Sequence, residues 1–117
     1  MVDDEEIVRR MAKSALQRYG YAVLVAENGQ DAVDIFQALS DRISLVLLDL
    51  TMPVMSGEEA LPRLQAKRPD VQVILSSGYN EVEAIRRFSG KTLAGFIQKP
   101  YTAAQLAEKV KTVLAIV

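Results

Sequence analysis

Four uncharged aliphatic residues, Leu45-Val46-Leu47-Leu48, run directly into Asp49, and the turn-forming stretch Leu50-Thr51-Met52-Pro53-Val54-Met55-Ser56-Gly57 follows. A continuous apolar run of this length suits a strand buried on both faces, the kind found in parallel sheets covered by helices on each side. Ligands of such open sheets gather at the carboxyl ends of the strands, which is where this reading places Asp49. Asp3 and Asp4 likewise follow the short fragment Met1-Val2, and Ser77 and Lys99 close two later apolar runs, 71–76 and 93–98. Three carboxylates, one hydroxyl and one ammonium are therefore expected on one rim.

The intervening segments carry helical periodicity. From Asp4 to Tyr19 the apolar positions Ile7, Val8, Met11, Ala12, Ala15, Leu16 and Tyr19 fall on one helical face, with Arg9, Arg10, Lys13 and Arg18 outside it. Gly20 ends that helix, residues 21–25 read as a strand, and Asn28-Gly29 opens a helix carrying Ala32, Val33, Phe36 and Leu39. Ser56 with Glu59 three residues on forms a capping-box pattern for a helix to about Lys67, with Pro62 inside it. After the loop Ser77-Gly78-Tyr79-Asn80, a helix is expected around Val82, Ile85 and Phe88, and Thr102 opens a last one with Leu106, Val110, Val113, Leu114 and Val117 as its stripe. Strands alternating with helices predict a parallel α/β sheet with right-handed crossovers. The basic pairs Arg86-Arg87 and Lys67-Arg68 and the segment Lys109 to Lys111 read as solvated faces.

A chain of 117 residues is expected to form one domain, 1–117, with a substantial core. Its net charge of -1, from 14 basic and 15 acidic residues, gives no electrostatic footprint for nucleic acid or an anionic membrane. No apolar run approaches the roughly 18 residues of a membrane span. Cysteine is absent, which suits a reducing, cytoplasmic setting and removes thiolate metal ligands. Histidine is absent too, so a phosphohistidine cannot reside on this chain, and any such donor is another chain or domain.

Carboxylates brought together must raise a pKa or bind a cation. With only oxygen ligands on offer, the chemistry favours Mg2+, held by one or two carboxylates with water and a substrate phosphate completing the octahedron. An ionised aspartate is a competent nucleophile toward an activated phosphoryl group, forming an acyl phosphate. Lys99 then suits a point charge, and Ser77 a hydroxyl donor, for the phosphoryl oxygens.

The fragments Asp3-Asp4-Glu5, Leu47-Leu48-Asp49-Leu50-Thr51-Met52-Pro53-Val54-Met55-Ser56-Gly57, Val73-Ile74-Leu75-Ser76-Ser77-Gly78-Tyr79 and Phe96-Ile97-Gln98-Lys99-Pro100 resemble, in order, the receiver domain of two-component response regulators. The separations, 45 residues from Asp4 to Asp49, 28 on to Ser77 and 22 on to Lys99, make the set specific where no single motif is. The resemblance implies a flavodoxin-like, doubly wound sheet of five parallel strands in the order 2-1-3-4-5. It implies that Asp49 is the phosphoacceptor, that Asp3, Asp4, Asp49 and the Thr51 carbonyl hold Mg2+, and that Lys99 and Ser77 bind the phosphoryl group. It also implies a switch in which Ser77 shifts and Phe96 turns inward, and a cis Lys99-Pro100 peptide. The expected donor is a histidine kinase or phosphotransfer domain. Ser77 followed by Gly78 is similar to receivers attached to hybrid sensor kinases, which points away from a DNA-binding output.

One departure concerns the first strand, where the family usually has several apolar residues before the acidic pair and this sequence has Met1 and Val2. Three or four missing aliphatic side chains amount to roughly 5 to 10 kcal/mol of burial. The expectation is a truncated first strand, with its remainder missing or supplied by a neighbouring chain in a dimer or swapped oligomer. Two other functions are considered. A magnesium-dependent phosphatase similar to haloacid dehalogenases wants an acid two residues after the nucleophile, where this chain has Thr51. An interaction module that no longer accepts phosphate would give no response to beryllofluoride. A dinucleotide site is excluded because no Gly-x-Gly-x-x-Gly follows a strand. The domain is not expected to act as an independent enzyme beyond its own phosphorylation and dephosphorylation.

Overall fold

The computed structural model describes residues 1–50, 52, 54–78, 86 and 93–115. Thr51, the loop residues Tyr79 and Asn80, the helical pattern at Val82, Ile85 and Phe88, and Val117 lie outside the described residues.

Among the described residues three parallel strands form a sheet, β1 (Val46–Asp49), β2 (Val73–Ser77) and β3 (Gly95–Gln98), with β2 in the middle. The apolar run before Asp49 is buried throughout, and neighbouring residues serve opposite faces, as the pleat requires. Leu48 and Leu75 pack with Val33, Phe36, Leu61 and Leu64 on one side. Leu47 and Ile74 pack with Ala12, Leu16, Leu106 and Val110 on the other. Each fully buried Leu or Ile contributes about 1.5–3 kcal/mol, so this double-sided sandwich carries much of the fold.

The helices whose bounds lie within the described residues are α1 (Glu6–Arg18), α2 (Gly29–Leu39), α3 (Gly57–Lys67) and α4 (Ala103–Ala115), with a 3-10 turn at Ser40–Arg42. α1 packs against α4, and α2 against α3. Their starts follow local chemistry. Asn28 caps α2 by accepting from the Asp31 N–H, and Ser56 caps α3 by accepting from that of Glu59. Thr102 and Gln105 cap α4 reciprocally, at 3.1 and 2.9 Å. α3 runs through Pro62 unbroken. α1 buries Ala12, Ala15 and Leu16, but Ile7 is 83% exposed and Tyr19 is exposed beyond the last turn. The seven-residue apolar face is thus narrower than its periodicity suggests, because the first turn stands at the sheet's rim and Tyr19 is already the C-cap before the turn at Gly20.

Val2 makes parallel bridges to both Ala26 and Leu48. From one edge the order is therefore Ala26, Val2, β1, β2, β3, which is the 2-1-3-4-5 arrangement with its first two members reduced to bridges. The strand expected over 21–25 does not form. A ladder needs a partner at each step, and the contacts of this segment with the first residues are confined to its end: Ala26 N–H donates to Met1 O at 2.9 Å, Asp3 N–H donates to Ala26 O at 3.1 Å, and the Met1 ammonium donates to Leu24 O at 2.9 Å. Upstream of that contact, Tyr21, Val23, Leu45 and Val46 line a cavity of about 580 Å³.

Arg68 corrects a second expectation. Instead of a solvated face, its Nη1 donates to Ser40 O at 2.7 Å and Ile43 O at 2.6 Å, fastening the end of α3 to the turn before β1. Ser77 is the last residue of β2 and not part of the following loop. No helix of the described residues is long and apolar enough to cross a membrane.

Candidate functional site

Asp49 reaches the rim because β1 ends there. Its N–H donates to Val2 O at 3.0 Å, and Val2 N–H donates to Leu47 O at 2.8 Å. The residue that aligns β1 thus also places Asp3 and Asp4 beside Asp49. Beyond the strand, Gly57 N–H donates to Leu50 O and Gly29 N–H to Met55 O, at 2.9 and 3.0 Å. A Cβ at Gly57 would collide with the Asp49 carbonyl, and one at Gly29 with the Met55 carbonyl, so two helix starts press on the turn between Asp49 and α3 at distances open to glycine.

Asp3, Asp4 and Asp49 each present a carboxylate oxygen, all within 4.8 Å of one another. Asp3 and Asp49 are buried and Asp4 is exposed. Lys99 Nζ enters from the end of β3 and lies 2.7 Å from Asp3 Oδ2, 3.1 Å from Asp49 Oδ2 and 3.5 Å from Glu5 Oε1, with 17% of its side chain exposed. Burial pulls this ammonium down, but the carboxylates of Asp3 and Asp49 outweigh burial and hold it above the usual lysine range. One cation among these acids offsets only part of their charge. A set of hard oxygens with one exposed member suits a divalent ion such as Mg2+, and Asp3 Oδ2, buried and without a directed hydrogen bond, has a lone pair to offer it.

Ser77 is buried at the end of β2, next to β1, and its carbonyl accepts the Lys99 N–H at 2.7 Å. The hydroxyl residue and the lysine are thereby fixed on adjoining strand ends. The Lys99-Pro100 peptide is cis. Phe96 pairs with Leu75 and packs, half-buried, against the core on the α2–α3 side, the face away from Ile97. Sequence reasoning brought Asp3, Asp4, Asp49 and Lys99 together correctly. It missed Arg9, whose Nη1 donates to the Asp3 carbonyl at 2.8 Å, and Glu5, whose N–H donates to Asp3 Oδ1 at 2.9 Å. An Asp whose side chain can accept from the backbone N–H two residues on, just before a helix, is the signal for the second bond; Arg9 looked like a residue of the outer face.

Comparison with known proteins agrees with this geometry. The chain is 37% identical over 114 residues to the sensor kinase CckA of Brucella abortus, covering 97% of this chain and 12% of that kinase. It spans 46% of the transcriptional regulatory protein ResD of Bacillus subtilis, at 32% identity and 97% coverage of this chain. The fold matches a response regulator receiver domain protein from Clostridium thermocellum with a TM-score of 0.88, covering 98% of this chain and 91% of that one at 24% identity. The response regulator TrrA of Thermotoga maritima, solved with Mg2+ and beryllofluoride, matches with a TM-score of 0.80 at 33% identity, covering 96% and 94% of the two chains. The profile of the response regulator receiver domain matches residues 1–111, and with the acidic rim, the lysine and the sheet order in place the chain belongs to that family.

Proposed function

We propose that residues 1–117 act as one receiver domain in which Asp49 accepts a phosphoryl group from a phosphohistidine on a histidine kinase or phosphotransfer domain. The observation that carries this reading is the convergence of Asp3, Asp4 and Asp49 within 4.8 Å, with Lys99 Nζ set between two of them. An Asp49 oxygen forms the new bond to phosphorus as the phosphorus–nitrogen bond of the donor breaks, and the released imidazole nitrogen takes up a proton. Lys99 neutralises charge on the phosphoryl oxygens, and Ser77 donates its hydroxyl to one of them. Asp3, Asp4, Asp49 and the Thr51 carbonyl would hold Mg2+, which draws negative charge off the transferring group when bound. Water attack on the acyl phosphate returns Asp49 to its resting form, so the domain catalyses only its own cycle.

The readout in this proposal is a shift of Ser77 and an inward turn of Phe96, which alters the surface along β3. Likeness to sensor kinases supports attachment to a hybrid kinase and a cytoplasmic site of action. Incubation with acetyl phosphate and Mg2+, followed by intact-mass measurement, tests the central step. The expected result is addition of one phosphoryl group that needs Mg2+ and disappears in Asp49→Asn. Retained labelling in that variant overturns the assignment.

A further inference from the structure

Lys99 Nζ meets three carboxylates, and one of them, Glu5, neither accepts phosphate nor holds Mg2+ in the proposed reaction. Glu5 Oε1 stands 3.5 Å from the ammonium, against 2.7 Å for Asp3 Oδ2 and 3.1 Å for Asp49 Oδ2. The three differ in exposure as well as in distance, since the side chains of Asp3 and Asp49 are 0% and 5% exposed and that of Glu5 is 62% exposed. Glu5 thus closes the ammonium from the solvent side, while two buried acids hold it from within. Its backbone is fixed at the rim, where its N–H donates to Asp3 Oδ1 at 2.9 Å. The residue precedes the first turn of α1 in extended conformation, yet its side chain makes no capping bond to that helix. Burial aside, Asp3 and Asp49 hold the proton on Lys99, and an ion pair as exposed as the one with Glu5 is worth little. Glu5 is therefore the easiest of the three acids to displace.

We infer that Glu5 is a positioning residue for Lys99, holding the ammonium toward the mouth of the site and yielding it to an anion that arrives there. An ammonium has three N–H donors, and a phosphoryl group on Asp49 must take its share of them from a carboxylate already present. Parting Lys99 from Asp3 would leave a buried charge uncompensated. The Glu5 carboxylate can turn into water instead, at small cost. Until it turns, its charge stands where phosphoryl oxygens have to approach, so it competes with any anion for Lys99. The same charge favours a divalent cation, which makes the rim more receptive to Mg2+ than to an anion arriving without it. This inference rests on the phosphoacceptor reading and adds to it a residue that sets the affinity for the phosphoryl group.

Glu5→Gln in the full 117-residue chain tests it, by calorimetric titration with Mg2+ alone and then with beryllofluoride at saturating Mg2+. The expected result is beryllofluoride binding about threefold tighter than in the unaltered chain, with Mg2+ binding no tighter. A merely structural change at the rim would move both ligands together. The nitrogen NMR resonance of the Lys99 ammonium, recorded without ligand, should also shift in the variant, because one of its three partners is gone. Equal or weaker beryllofluoride binding, tighter binding of both ligands, or an unmoved ammonium resonance overturns this inference alone. Absence of beryllofluoride binding from the unaltered chain overturns the phosphoacceptor reading and this inference with it.

Discussion

The two flanks of β1 are built to different standards. Toward β2 there are four register pairs, Val46 with Val73 through Asp49 with Ser76, and both strands are buried along their whole length. Toward the other edge there is a single residue, Val2, bridging to Leu48 and Ala26, with exposed Leu24 and Val25 and a cavity of about 580 Å³ beyond. Yet groups from both flanks, Asp3 and Asp4 on one and Lys99 on the other, meet Asp49 at one point. Their placement depends on hydrogen bonds at the carboxyl end of the sheet, where Val2 is pinned from both sides. The amino end of the sheet contributes stability and little to the site's geometry.

The sharpest test of this contrast is amide hydrogen exchange. Amides of β2 should exchange only through global opening, at a cost of about 5–15 kcal/mol, whereas those of residues 21–25 should exchange at close to zero. Comparable protection on both flanks would refute the contrast. Side-chain truncation gives the next largest effect. Leu75→Ala, at a fully buried position, should lower unfolding stability by about 2–5 kcal/mol, and Leu24→Ala, at 49% exposure, by less than about 0.5 kcal/mol, both read from urea titrations.

Lys99→Met probes the rim itself. Removing the ammonium leaves the Asp3 and Asp49 carboxylates facing each other, and the loss should be roughly 3 kcal/mol without divalent cations. Saturating Mg2+ should recover more stability in this variant than in the unaltered chain; equal recovery would mean that Lys99 does not share those acids with a cation. Val54→Gly carries a smaller effect of the opposite sign. Val54 has φ of 65° and is 80% exposed, so glycine should stabilise by about 1 kcal/mol. The smallest effect concerns alkaline pH. The Tyr101 hydroxyl is raised from about 10 to about 12, so its contribution is complete below pH 10 and is lost as pH rises toward 12. Lys99, also raised, acts in the same direction, and the difference between the unaltered chain and Tyr101→Phe across this window isolates the tyrosine.

The rim was legible in the sequence because each of its residues ends an apolar run. Asp49, Lys99 and the acidic pair each mark the point where a buried strand meets solvent, and period and punctuation suffice to find such points. Residues 21–25 misled for the converse reason. Their composition is that of a strand, but strand formation depends on a ladder of partners, and here Ala26 alone makes a bridge, to Val2. Arg9 and Arg68 looked like surface charges, and both donate to backbone carbonyls that tertiary folding alone brings within reach. Tyr101 was passed over because an aromatic after Lys-Pro reads as packing, and nothing in the sequence shows that its hydroxyl is left without a partner.

The contact between Gly57 and the Asp49 carbonyl has a mechanical outcome. With no side chain between them, the first turn of α3 sits directly against the Asp49 carbonyl, so α3 and the end of β1 are in backbone contact. The far end of that eleven-residue helix is fastened by Arg68 to the carbonyls of Ser40 and Ile43, so both ends of α3 are tied to the segments flanking β1.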